Sequence, residues 1–369
     1  MMKILHVVGN KIEASNGIGR LIPEMISMHN KFGNFTSSLL VFEDLYESFD
    51  FDFSNYNNIK DRKTFFSGFD LVVFHGLYFF EFIKIKKILV KLGIPYLVKP
   101  HSSLMVSAQK KSYLKKTLAN VLVFNSFVSN AVGVIYTNAD EKINSIVLND
   151  KNYIEPNGID FSLFDSEILP DTKHVTSSIS ETSIKFIYLS RIDFSHKGTD
   201  ILLDALDLIK SRGEISKIHL DIYGKGPSSE EKITIERIAS LGTSHISFKG
   251  PIYGVDKVQA FKKSDVFVLT SRYEGFPMAI LEALYCRLPC IVTPGANMSD
   301  ILSCNDVGWL TRLDAESVAD TLLQVSALKD GSISRKSDFA RDYVINNHEW
   351  SKVVKITEDI YRSVIENAS

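Results

Sequence analysis

Cysteine is scarce in this chain of 369 residues: there are three, Cys286, Cys290 and Cys304, with no C-x-x-C spacing and no paired histidines beside them. A disulfide framework and a zinc finger are thereby excluded, and a reducing compartment fits best. Charge of one sign is lacking too. Lys plus Arg number 42 against 44 acidic residues, for a formal net charge of −2, so no global field steers the chain to nucleic acid. Long apolar runs are missing as well. The most hydrophobic window, 69–82, is broken by Asp70, His75, Gly76 and Glu81, and nothing reaches the roughly 18 clean apolar residues of a membrane-spanning helix. The apolar run at the start is too short for a signal peptide. No low-complexity tract or internal repeat is present. These absences lead to the expectation of a soluble cytoplasmic protein.

What is present is ordinary globular composition, 45% hydrophobic and 23% charged, at a length that suggests two domains. Short runs rich in Val, Leu, Ile and Tyr alternate with helical patterns almost from end to end. In the first half the runs are 3–8, 38–42, 71–75, 96–101 and 133–137, with helical stretches at 21–32, 82–92, 109–124 and 140–148. Between Asp165 and Ser183 the pattern lapses into a polar linker, and the alternation then restarts at Lys185. Three helical stretches, 315–328, 335–346 and 350–365, close the chain without further strands. Strand-helix-strand alternation predicts parallel sheets covered on both faces, hence two α/β halves.

The strongest chemical signal is Ser271-Arg-Tyr-Glu-Gly-Phe-Pro-Met-Ala-Ile-Leu-Glu, directly after the buried-type strand at 266–270. Pro277 suits a helix start, and the amides around Gly275, Phe276, Pro277 and Met278 predict an anion site at a helix N-terminus. Glu274 before the helix and Glu282 within it could accept hydrogen bonds from sugar or ribose hydroxyls. A solvated helix residue is the bland alternative for Glu282 alone, and the Gly-Phe-Pro between the glutamates counts against it. The second signal is Ser190-Arg-Ile-Asp-Phe-Ser-His-Lys-Gly. Here Arg191 and Lys197 stand at the carboxyl edge of a sheet, where open α/β folds bind ligands. An Arg and a Lys can neutralise a departing diphosphate without a metal.

Weaker signals surround these. Gly224 and Gly226 let a backbone approach a ligand, although a plain strand-exit turn reads equally well. Gly250 and Ile252 could line a base pocket or form a structural turn. Gly17 and Gly19 form a lone glycine loop after the first strand, on the acceptor side. His101 ends a strand of the first half and competes with a satisfied buried histidine. Asp50 and Asp52 resemble a metal clamp but lie in an aromatic loop with no nucleotide motif beside them. No G-x-S-x-G, H-E-x-x-H or phosphate-loop motif occurs, so hydrolase, zinc-protease and P-loop readings have no support.

One asymmetry remains. From Phe82 through Ala139 there is no Asp or Glu, while lysines stand at 84, 86, 87, 91, 99, 110, 111, 115 and 116. This predicts a basic face on the first domain that meets an anionic surface or substrate. Leu114, Leu118, Val121 and Leu122 form a helical stripe, read here as core with the lysines as its rim, in preference to an inserted anchor.

As a set, these residues resemble the retaining glycosyltransferases of family four. The resemblance rests on Glu274-Gly-Phe-Pro through Glu282, Arg191 with Lys197-Gly198, Gly224-x-Gly226, and Pro156-Asn-Gly-Ile-Asp with Phe164. It implies the GT-B fold: two Rossmann-like domains with parallel sheets facing across a cleft, and a C-terminal helix crossing back to the first domain. The expected domains are 1–170 for the acceptor, with the helix 350–369, and 171–349 for the nucleotide-sugar donor. By the same resemblance Arg191 and Lys197 bind the diphosphate, Glu282 the ribose, and Glu274 with the following amides the donor sugar. His101 matches a histidine beside the transferred sugar. No divalent cation or other cofactor is implied.

Ser190 departs from the glycine that usually precedes the arginine, and the first-domain loop lacks adjacent glycines. The expected reaction is retaining transfer from a nucleoside-diphosphate sugar, UDP in preference to GDP, to a glycan hydroxyl. A lipid-linked acceptor at the inner membrane surface, in capsule or O-antigen assembly, fits the basic stretch. The alternatives are a non-hydrolysing nucleotide-sugar epimerase on the same fold and a non-catalytic nucleotide-sugar-binding subunit.

Overall fold

The computed structural model describes residues 1–13, 17–45, 48–110, 113–165, 183–328 and 330–368. Most of the expected linker, Lys111 of the basic stretch and Asn16 of the glycine loop lie outside the described residues. The chain divides into two compact units, Met1–Gly158 with His348–Ser369, and Ile159–Asn347. Residues 159–165, which the sequence pattern assigns to the first domain, belong to the second unit. Ile159 and Phe164 are buried in its core, and Phe161 stacks on Tyr285 at 4.1 Å.

The first unit is built on a seven-stranded sheet of order β3-β2-β1-β4-β5-β6-β7. Its strands are β1 (Met2–Val8), β2 (Phe35–Val41), β3 (Phe53–Asn55), β4 (Leu71–His75), β5 (Tyr96–Lys99), β6 (Gly133–Tyr136) and β7 (Asn152–Ile154). Every ladder is parallel. Parallel strands covered on both faces read as continuous apolar runs, which is why β1 and β4 were legible. The three-residue strands β3 and β7 are too short to carry such a run.

Side chains alternate between the two faces of this sheet, and the faces differ. Leu5, Val7, Leu40, Val72, Phe74, Tyr96, Val98 and Tyr136 belong to one apolar cluster. There the ring of Phe74 meets those of Phe82, Tyr96 and Phe127 at centroid distances of 4.9, 5.6 and 5.1 Å. The opposite face interleaves Ile4, Leu39 and Val73 with His6, Ser37, His75 and Lys99, as the registers Ile4 to Ser37, Val8 to His75 and His75 to Lys99 require. The helices Gly17–Phe32 and Trp350–Ala368 pack against one another on this unit. Trp350 Nε1 donates to Glu24 Oε1 at 2.8 Å, and the Asn34 N–H donates to Glu358 at 3.1 Å. The C-terminal helix thus returns to the first unit, and Gly158 is required beneath it, since a Cβ there would lie 2.3 Å from the Trp350 indole.

The second unit has a six-stranded parallel sheet, β10-β9-β8-β11-β12-β13. It is formed by β8 (Lys185–Leu189), β9 (His219–Tyr223), β10 (Ile246–Gly250), β11 (Val266–Leu269), β12 (Cys290–Val292) and β13 (Gly308–Leu310). The chain runs outward from β8 to β10 and returns on the other side at β11. The carboxyl ends of β8 and β11 therefore flank a topological switch point, the place where open α/β sheets bind ligands.

Two local expectations fail. The single helix expected over 109–124 is a succession of Val106–Lys110, Tyr113–Ala119, a π-helical turn Asn120–Phe124 and Asn125–Ser129. Its apolar stripe is not core: Leu114, Leu118, Val121 and Leu122 are 81, 61, 71 and 68% exposed. The buried face is instead Asn120, Phe124, Phe127 and Val128. Lys99, counted above with the basic stretch, is also not on a surface. It is buried, and its Nζ lies 2.9 Å from Oε1 of the equally buried Glu155.

Candidate active site

The second unit brings its two sequence motifs together at the switch point. The loop after β8 carries Arg191, His196 and Lys197, and the loop after β11 carries Ser271 to Glu274. Lys197 Nζ donates to Glu274 Oε1 at 2.6 Å, and Ser271 Oγ donates to the same oxygen at 2.6 Å. His196 Nε2 lies 3.9 Å from the other carboxylate oxygen, and the His196 ring stacks on Tyr273 at 4.2 Å. Burial lowers the His196 imidazole below its usual 6.5, against the opposing pull of Glu274. Arg191 is 57% exposed, held by Asp193 at 3.1 Å and by His196 Nδ1 at 2.9 Å. Such an exposed pair is worth little in water, so an arriving anion can recruit the guanidinium at small cost.

The loops are fixed from behind. The backbone oxygen of Glu274 accepts from Asn297 Nδ2 at 2.5 Å, and Arg272 forks onto Asp200 with bonds of 2.7 and 2.6 Å. Gly224 and Gly226 serve packing: a Cβ on either would lie 2.0 Å from the carbonyl oxygen of Ser190 or Ile192. The space read as room for a ligand is occupied by the loop that carries Arg191. Gly250, at φ 75°, has open space around it, and Ile252 packs against the core as a half-buried residue. Phe276 and Pro277 are buried, Gly275 and Met278 half-buried, and the helix Met278–Tyr285 begins directly after Pro277. Its first-turn amides make that end receptive to negative charge.

Glu282 is not a solvated helix residue. It is buried, and Lys257 Nζ donates to its Oε1 at 2.7 Å. Lys257, Arg272, His196 and Asn297 were missed in the sequence. Lys257 gave no signal there, because a lysine in the amphipathic run 255–262 reads as surface.

The first unit places His101 two residues beyond the end of β5, in a turn with φ 46°, rather than within the strand. Its Nε2 lies 2.9 Å from His75 Nδ1, and His75 Nε2 lies 2.9 Å from His6 Nδ1. His6 Nε2 and His29 Nδ1 each lie 3.2 Å from Ser37 Oγ. Burial, then the Lys99 charge, pushes His6 and His101 down to about 3. Burial and the neighbouring rings with Lys99 hold His29 and His75 well below 6.5. Sequence reasoning singled out only His101, although histidines inside the apolar runs of β1 and β4 were a visible oddity. Gly17 opens the helix Gly17–Phe32 with open space around it, whereas a Cβ on Gly19 would lie 2.6 Å from the Glu13 backbone nitrogen. A cavity of about 290 Å³ lies beside this loop, lined by Gly9, Lys11, Glu13, Phe42, Glu43 and Phe49 among others. Asp50 accepts from Ser27 Oγ at 2.7 Å. Among the described residues, no group of three or more His, Cys, Asp or Glu is placed to hold a metal ion. Nor is any helix among them long and apolar enough to cross a membrane.

Known proteins are similar to this chain. A family described as Glycosyl transferases group 1 matches residues 183–327. The UDP-Gal:alpha-D-GlcNAc-diphosphoundecaprenol alpha-1,3-galactosyltransferase of Escherichia coli is 38% identical over 108 residues, covering 29% of this chain and 27% of that protein. The phosphatidyl-myo-inositol mannosyltransferase of Mycobacterium tuberculosis (strain H37Rv) is 26% identical over 218 residues, covering 57% of this chain and 53% of that protein. The matched segments thus span about a quarter to about half of these relatives. The solved structure of Anabaena HepE in complex with UDP and glucose has a TM-score of 0.70 at 16% identity, covering 99% of this chain and all of that one. The paired parallel-sheet units and the returning C-terminal helix agree with the solved structures: the chain has the GT-B fold, and its segment 183–327 matches the glycosyltransferases of group 1.

Proposed function

We propose that this protein transfers a sugar, with retention at the anomeric carbon, from a UDP-sugar to a hydroxyl of a lipid-linked glycan during assembly of a bacterial surface polysaccharide such as capsule or O-antigen. The observation that carries the reading is the Lys197–Glu274 pair, 2.6 Å apart beside Arg191 at the switch point and before the helix Met278–Tyr285. In this reading the incoming diphosphate accepts hydrogen bonds from the first-turn amides and draws Arg191 and Lys197 onto its oxygens. Lys197 then leaves Glu274, whose carboxylate is released to accept hydrogen bonds from the donor sugar. Glu282, held against Lys257, accepts from the ribose. The two cations stabilise the leaving diphosphate without a divalent metal. The acceptor oxygen attacks from the side the leaving group vacates, and the departing phosphate oxygen takes its proton, which gives retention. The acceptor is taken by the first unit.

The lipid-linked acceptor draws support from the exposed stripe Leu114, Leu118, Val121 and Leu122. Exposed lysines at 110 and 115 lie beside it, and Lys84, Lys87 and Lys91 are exposed on the helix Phe80–Leu92. Apolar side chains entering the interface with lysines at the headgroups are the two attractions a peripheral protein needs. The names of the galactosyltransferase and the mannosyltransferase above, each with a lipid acceptor, point the same way.

The test is incubation of the purified protein with UDP- and GDP-sugars, with and without EDTA, and with a polyprenyl-diphosphate-linked sugar as acceptor. NMR of the product reads the anomeric configuration. Retention with a UDP-sugar in EDTA is expected. Inversion would overturn the mechanism, and turnover of donor into an epimer without acceptor would overturn the reaction class.

A further inference from the structure

The polar seam on the first sheet spans four strands. It runs from half-buried His101 after β5, through His75 on β4 and His6 on β1, to Ser37 on β2 and His29 on the helix above. His6, His29 and His75 have no solvent exposure. Each neutral imidazole carries one N–H, and each link needs one donor and one acceptor. The protons along the seam therefore run in one direction or the other, or converge on the Ser37 oxygen, and within the run from His6 to His101 a choice at one ring sets the tautomer of the rest.

The closed end decides the direction. Among the described residues His29 Nε2 has no hydrogen-bond partner, and it is sealed from water. If the chain ran from His101 towards His29, every ring would carry its proton on Nε2, and the His29 N–H would be stranded. If both rings beside Ser37 donated to its oxygen, the Ser37 hydroxyl proton would have no acceptor, since among the described residues its side-chain partners are these two rings. In the reverse direction every buried donor is used. His29 Nδ1–H donates to Ser37 Oγ, Ser37 O–H to His6 Nε2, His6 Nδ1–H to His75 Nε2, and His75 Nδ1–H to His101 Nε2. Only an acceptor, His29 Nε2, is left unpaired, and buried proteins tolerate an orphan acceptor better than an orphan N–H.

We infer that this seam fixes all four histidines as Nδ1–H tautomers, so that His101 meets substrate as a neutral hydrogen-bond donor through Nδ1–H and not as a base. His6, His29, His75 and Ser37 are positioning residues that act through His101. The strong lowering of these imidazoles by burial and Lys99 keeps the seam uncharged across the physiological range. The part that concerns substrate rests on the glycosyl-transfer reading; the tautomer assignment does not.

The experiment is long-range ¹H–¹⁵N correlation NMR on the full chain labelled with ¹⁵N-histidine, assigned by single-histidine variants. Pyrrole-type shifts at Nδ1 and pyridine-type shifts at Nε2 are expected for His6, His29, His75 and His101. Ser37→Ala removes the hydroxyl that donates to His6 Nε2. It should erase the single tautomer at His101, three rings away, and lower kcat for transfer while KM for the donor holds. A protonated Nε2 on His101 in the unaltered protein overturns the inference whether or not the variant folds. So does a His101 spectrum that Ser37→Ala leaves unchanged. The expected tautomers in a protein that transfers no sugar would uphold the seam and reject the proposed function alone.

Discussion

Acidification should unfold the first unit while the second still stands. Burial pushes His6 and His101 down to about 3 and His348 to about 4, the last despite its hydrogen bond to the Asn157 carbonyl. In the unfolded chain each would titrate near 6.5, so below that pH the unfolded state binds more protons and stability falls as pH falls. The penalty is absent above about pH 6.5 and grows by about 1.4 kcal/mol per pH unit for each such imidazole, down to its folded value. Three groups give roughly 4 kcal/mol at pH 5.5 and roughly 6 at pH 5, against a typical domain stability of about 5–15 kcal/mol. His29 and His75, held well below 6.5, add to the same slope. The chain supplies its own probes, because its two tryptophans fall one in each unit, Trp350 in the first and Trp309 in the second. Urea titrations of Trp309→Phe, followed by the fluorescence of Trp350 from pH 7.5 to 5, should show the first unit losing stability with a slope of at least three protons. Adding His29→Leu should remove one proton from that slope. A slope below one proton would mean that these imidazoles are charged or solvated in the folded protein, and both the acid lability and the ordered seam would be rejected.

Three further outcomes follow from other sites. Lys99→Met should cost about 3–5 kcal/mol by leaving the Glu155 carboxylate buried and alone, and Lys99→Met with Glu155→Leu should recover most of it. Equal single and double losses in the same fluorescence assay would disprove a coupled pair. Arg191→Ala should weaken UDP binding roughly 10- to 100-fold in calorimetry, the worth of a charged hydrogen bond, with the melting temperature unchanged because the side chain is largely exposed. An unchanged affinity would remove Arg191 from the donor site. Leu118→Gln with Leu122→Gln should lower partition onto anionic vesicles at least about tenfold, given about 1.5–3 kcal/mol for full burial of each leucine. Binding that survives both changes would show that the stripe does not enter the bilayer.

Sequence order was enough for whatever depends on neighbours along the chain. The apolar runs of β1, β4, β8 and β11 are local, because a strand buried on both faces needs no partner to announce itself. Glu274-Gly-Phe-Pro and Arg191 with Lys197 were legible for the same reason: a loop, a helix start and their charges sit within a few residues. The failures are equally physical. Leu114, Leu118, Val121 and Leu122 have the spacing of a buried stripe, and spacing alone cannot say which side of a helix meets the core. Lys99 and Lys257 read as surface cations because composition carries no record of a carboxylate 56 or 25 residues away that lets a lysine be buried.

The sequence by itself determined that two parallel α/β sheets form and that a helix start flanked by two glutamates follows one of their strands. Only the tertiary structure decided that Lys197 meets Glu274 across 77 residues, that glycines expected to admit a ligand admit a neighbouring loop, and that four histidines share one seam. Local patterns are set by the period of the backbone and by burial. Pairings between distant side chains are set by strand order, and strand order depends on how elements pack rather than on how they follow one another.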